Sequence, residues 1–211
     1  MTKKKLRRGS DRKDKIVRDI LSARVKSKTL PARAQTQLFL KTYFADVPVI
    51  DLAGRSPHIM AQIALSHLEL GAQRRNGQPK IRIFNPTEEK HGYTSAFTFI
   101  EMIHDDMPFI VNSITTAINR HDLTVHITVH PVIRVIRDKR GNFAEIAELN
   151  SDEGKRESFV RLAIDREADS QVLKQLDQEI PEVGLLNEGL VLGIGRVRVC
   201  QHQLRNVLFP L

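Results

Sequence analysis

The residue types most able to do chemistry lie in one run, His104-Asp105-Asp106-Met107-Pro108. An imidazole beside two carboxylates suggests a metal site or an acid–base pair. Adjacent carboxylates in a strand point to opposite faces, however. The alternative is capping: a carboxylate just before a proline-opened helix faces the positive end of the helix dipole. His126 and His130 lie four residues apart in a β-branched run. In a strand that separates them by about 13 Å along one face. A single metal ion with ligands at about 2.1 Å cannot bridge them, so surface or interface positions are expected. Gly193-Ile194-Gly195-Arg196 resembles the start of a dinucleotide fingerprint, but position 198 is Arg and no helix-long segment follows. Nucleotide binding through it is rejected. No serine or cysteine has a recognisable base partner, and the single cysteine, Cys200, is expected to be inert.

The elements that must position these groups are legible from apolar periodicity. Phe97, Phe99, Glu101 and Ile103 alternate with Thr98, Ile100, Met102 and His104, the pattern of a strand. Pro108 suits the first position of a helix. Ile110, Ile114, Ala117 and Ile118 form that helix's apolar stripe. Val125, Ile127, Val129, Ile133 and Val135 predict one long half-buried strand, with Pro131 marking an edge or a bulge. Strand, helix and strand make a βαβ unit. Further strands are expected at Ile81–Asn85, Phe143–Leu149 and Phe159–Ile164, and a helix over Ala168–Ile180 that Pro181 interrupts. The fold class is therefore α+β: a ferredoxin-like antiparallel sheet with helices on one face. A small helical subdomain precedes it, including a helix capped by Ser56 and opened by Pro57. The divisions expected are a basic arm and first helix (1–30), a helical lead-in (31–78), the α+β domain (79–180) and an atypical tail (181–211). Residues 1–9 are expected to be disordered, with a helix beginning at Ser10.

The chain has 211 residues and a net charge of +8. Residues 1–30 hold twelve Lys and Arg against three Asp, so the rest is nearly neutral. A basic terminus without a basic folded face argues against nucleic-acid binding, although the arm keeps an anionic surface as an alternative. No apolar run reaches membrane-spanning length. One cysteine excludes an intramolecular disulfide and fits a reducing compartment, the cytoplasm by default.

The segment HDDMPFIVNSITTAINRHDLTVHITVHPVIRVIRD resembles the N-terminal ACT-like domain of the large bacterial NAD-specific glutamate dehydrogenases. DLAGRSP, KIRIFNP and ESFVRLAIDRE extend the resemblance, in order, over roughly Tyr43 to Ile180. It implies a regulatory or scaffolding part of a dehydrogenase that oxidises L-glutamate to 2-oxoglutarate with NAD. The catalytic and NAD-binding segments would lie elsewhere, so this chain would hold no cofactor of its own and show no turnover. A stand-alone amino-acid sensor or oligomerisation module is the alternative. The resemblance also implies an amino-acid effector site at the turn before the first helix, lined by Asp105, Asp106, Met107, Phe109 and Asn112. Homo-oligomers or further domains of the same enzyme are the implied partners. Residues 181–211 depart from the family pattern, which suggests truncation or an altered reading frame. A final strand at Val197–Cys200 is the other reading.

Overall fold

The computed structural model describes residues 2–186 except 24, 26, 28, 30, 31 and 149. The tail beyond Leu186, with the Gly193–Gly195 motif, Cys200 and the expected Val197–Cys200 strand, lies outside the described residues. In chain order the elements are α1 (Thr2–Ser22), α2 (Arg33–Tyr43), α3 (Val49–Leu52), α4 (Pro57–Leu70), β1 (Lys80–Phe84), α5 (Glu88–His91), β2 (Thr98–Asp105), α6 (Ile110–Arg120), β3 (Val125–Val129), β4 (Val132–Arg137), β5 (Phe143–Ala147), β6 (Lys155–Ile164) and α7 (Ser170–Leu186).

One antiparallel sheet organises them, in the order β1-β2-β6-β4-β5, with β3 also pairing β6. β2 and β3 both run antiparallel to β6 and so parallel to each other, with β6 between them. β2-α6-β3 is thus a split βαβ unit, the ferredoxin-like arrangement expected from the sequence. The long strand expected from Val125 onward breaks at His130-Pro131 into β3 and β4. Proline has no N–H for the ladder, and the Pro131 carbonyl instead accepts from Phe159 N at 2.9 Å.

α6 and α7 cover one face of the sheet. Ile110, Ile114, Ala117 and Ile118 pack there with Leu176 and Ile180 on Ile100, Met102, Val160, Leu162 and Ile164. The opposite face is covered too: Phe39, Met60, Ala64 and Leu68 of α2 and α4 bury Phe99, Ile103, Phe159 and Ala163. For this reason β2 is buried along its whole length except Asp105.

Several boundaries differ from the sequence expectation. β6 begins at Lys155, four residues before Phe159. α1 begins at Thr2, so residues 2–9 are helical and Ser10 lies inside the helix. Lys, Arg and Leu are good helix formers, which a disorder argument from charge overlooks. Pro108 precedes α6 rather than opening it; the N-cap position is Phe109, at φ 63. Pro181 lies within α7, which continues to Leu186. A helix can carry an interior proline at the loss of one backbone hydrogen bond. Ser56 does cap α4, accepting from Ile59 N, with Pro57 as its first residue.

Candidate functional site

The expected effector turn joins the end of β2 to α6. Its two carboxylates point apart, as strand geometry demands. Asp105 accepts from the Arg74 guanidinium and, at 2.8 Å, from Gly77 N. Asp106 accepts from Ser158 Oγ at 2.8 Å and Arg156 Nε at 3.0 Å. Neither carboxylate caps α6, which has no side-chain cap at all. The capping expectation fails because β6 runs alongside this turn and supplies Arg156 and Ser158, while Arg74 reaches Asp105 from the segment after α4. Met107 packs against the α6/α7 core, whereas Phe109 is 63% exposed and Asn112 lies on the open side of α6.

His104 and His130 each bury an Nε2 without a hydrogen-bond partner among the described residues. Burial pushes the His130 imidazole down, against the pull of Asp106. His126 stacks on Phe97, with ring centroids 4.8 Å apart, and its Nε2 lies 2.6 Å from Asp165 Oδ1. The two histidines of that run therefore serve different neighbours.

Sequence reasoning missed two ion clusters, both on the face covered by α2 and α4 or beside it. In the first, β-sheet register sets Arg82 opposite Glu101 and Glu101 opposite Arg161. The Glu101 carboxylate, fully buried, accepts from both guanidiniums. Arg161 also donates to Tyr93 Oη at 2.9 Å and lies 4.1 Å from the centre of the Phe99 ring. Burial alone would push the Glu101 carboxyl up; the Arg161 and Arg82 charges outweigh it and hold it down. Nearby, His67 Nε2 lies 3.3 Å from the Met102 carbonyl, which can only accept. Nδ1 therefore accepts from Tyr43 Oη at 3.0 Å, and the ring is the neutral Nε2–H tautomer. Burial lowers this imidazole to about 4. A cleft of about 540 Å³ reaches this cluster between α4, β1 and α5, and Ser66, Tyr93 and His91 also line it.

In the second cluster, Glu157 accepts from Arg74 Nη2 at 2.7 Å and from Arg137 Nε and Nη2 at 2.7 and 2.8 Å. Arg74 is only 1% exposed, yet its Nε has no partner among the described residues. The signal for the first cluster was a charge inside an apolar strand: Arg82 in KIRIF, Glu101 in TFIEMI and Arg161 in FVRLAI. Such charges need partners, but a single sequence does not say which.

These arrangements pair and bury charge; they do not set a nucleophile against a base. Among the described residues no His, Cys, Asp and Glu cluster has metal-site geometry, and no helix is long and apolar enough to cross a membrane.

The chain is 33% identical over 153 residues to an NAD-specific glutamate dehydrogenase of Halomonas elongata, covering 71% of this chain and 9% of that one. It is 33% identical over 166 residues to its counterpart in Pseudomonas aeruginosa, covering 77% and 10%. The chain thus spans about a tenth of the length of the curated relatives it matches. The profile of the glutamate dehydrogenase ACT1 domain matches residues 39–180, from within α2 to within α7, and with that match over most of its length the chain belongs to the glutamate dehydrogenase ACT1 domain family.

Proposed function

We propose that the chain is a non-catalytic regulatory and assembly module of an NAD-specific glutamate dehydrogenase, N-terminal to the domains that perform hydride transfer. The parent reaction would convert L-glutamate, NAD and water to 2-oxoglutarate, ammonia and NADH in the cytoplasm. The single observation that carries this reading is the match of most of the chain to about a tenth of each such dehydrogenase. Two ion clusters whose carboxylates are already paired with arginines support it, because a group already paired with a protein partner is poorly placed to work on substrate. Further domains of the same enzyme, or a second copy, are its partners.

The regulatory part of the reading concerns the turn before α6. The first N–H groups of that helix have no side-chain cap, so an effector carboxylate would be stabilised there. Asp106 is the better partner for its ammonium, since its pairing to Arg156 involves a side chain that is 55% exposed and such pairs are weak. Met107, Phe109 and Asn112 would complete the contact, with Asp105 holding the turn in place through Arg74 and Gly77. Thermal melting against an amino-acid panel tests this. One amino acid at a hundredfold excess over its Kd should stabilise the chain by about 2.7 kcal/mol. Asp106→Asn and Asn112→Ala should each reduce that gain. A melting temperature that no amino acid moves would reduce the module to assembly alone.

A further inference from the structure

We propose that the groove between the Arg74–Gln78 turn and the β4–β5 hairpin is a binding site for a small phosphate-bearing anion. The groove encloses about 410 Å³. Its walls are held firmly. Arg74 N donates to the Gly141 carbonyl at 2.9 Å, and Phe143 N to the Ala72 carbonyl at 2.8 Å. Gly141 and Gly154 sit at φ 84 and 75, and a Cβ on either would strike backbone: Arg74 O at 2.5 Å or Val135 O at 2.7 Å. Glycine at 141 lets the hairpin approach the turn this closely, and glycine at 154 does the same for the β5–β6 loop against β4.

The lining is cationic. Arg74, Arg75, Arg137, Lys139 and Lys155 face two acids, Asp138 and Glu157. Neither acid remains available. Glu157 is taken up by Arg74 and Arg137. Asp138 accepts from Arg140 N, Asn142 N and Asn142 Nδ2, and those bonds hold its carboxyl below the usual carboxylate range. Arg75, Lys139 and Lys155 are exposed and have no ion-pair partner among the described residues. The Arg74 side chain is wholly buried and committed to Asp105, Glu157 and the Arg75 and Gln78 carbonyls, so it adds positive charge behind the groove and no direct contact. Three divergent cations, Arg75, Lys139 and Lys155, round a half-open groove suit a compact group with several charges, as a phosphate or diphosphate carries. The volume admits a small molecule, not a nucleic-acid duplex.

The test is isothermal titration of the full chain with inorganic pyrophosphate at low ionic strength. Circular dichroism monitors the fold of each variant. Saturable binding that weakens with added salt is expected. K139E/K155E, both on the surface, should weaken it by about tenfold or more through charge reversal, and R75E on the facing wall should weaken it independently. K3E/K4E/K5E, in the basic terminus, should leave it unchanged. Binding that survives both groove variants, or that disappears with the terminal variant, would overturn the proposal. So would tighter binding of duplex DNA than of pyrophosphate through the same lysines.

Discussion

The two faces of the sheet are covered by helices but built on different principles. Under α6 and α7 the contacts are aliphatic: Ile100, Met102, Ile114, Val160, Leu162 and Leu176. Under α2 and α4 the packing is aromatic, with Phe39 edge-on to Phe159 and Tyr43 to His67, and it encloses the Arg82-Glu101-Arg161 row. An aliphatic face tolerates rearrangement because its contacts have no direction. A face with buried charges does not, because every charge must keep its partner. One face is therefore a hydrophobic seal and the other a fixed arrangement of polar groups reached by a cleft.

The largest effect should come from breaking the charge row. Arg161→Leu leaves Glu101 buried against Arg82 alone and should cost about 3–5 kcal/mol in urea unfolding. Replacing both Glu101 and Arg161 by Leu should cost clearly less than the single change, because no charge is then left buried without its partner. If the double change costs as much as the sum of the singles, the row is not a coupled unit.

On the aliphatic face, Ile114→Ala should cost about 3–4 kcal/mol, the usual range for a buried isoleucine truncated to a methyl. That loss should change little between pH 5 and pH 7, since the residues packed in its cluster are hydrophobic. A pH-dependent loss would mean that the two faces are not separable.

Acid should act on the polar face. His67 titrates at about 4 in the folded chain against 6.5 when free. The unfolded chain therefore binds more protons between those values, and stability falls as pH drops through that window, levelling off below it. The full effect is roughly 3 kcal/mol at about 1.4 kcal/mol per pH unit. His91 and His130 shift in the same direction. Glu101 and Asp105, held below their usual range, add losses only at still lower pH. His67→Gln should flatten the stability profile between pH 6.5 and 4; an unchanged profile would exclude His67 as its main source.

The smallest effect concerns the turn before α6. Phe109 holds φ 63 with its ring exposed, a conformation that costs a residue with a Cβ about 1–2 kcal/mol. Phe109→Asn, which tolerates that region, should raise stability by about 1 kcal/mol. A loss instead would show that the phenyl ring makes contacts worth more than the strain.

The same comparison explains what the sequence reveals. Periodicity finds the aliphatic face because its signal is local: Ile110, Ile114 and Ile118 announce their helix, and Val160, Leu162 and Ile164 their strand. The polar face depends on partners far apart in the chain. Arg161 lies 60 residues from Glu101, Arg82 lies 19 from it, and His67 lies 24 from Tyr43. No window contains both halves. The turn before α6 was locatable because its residues are contiguous, but Arg74 and Arg156, which occupy its carboxylates, were out of reach because they lie far away in the chain. α5 is four residues long, too short for any periodic signal. Pro108 misled by one turn chemistry winning over another: the left-handed Phe109 delays the helix that a proline would ordinarily open.

On the proposed function, the chain senses or assembles and leaves turnover to other domains. That division of labour is tested most directly by incubating the purified chain with L-glutamate and NAD and following NADH. The prediction is no NADH above a protein-free control at any chain concentration. NADH formation that rises in proportion to the amount of chain added would contradict the account.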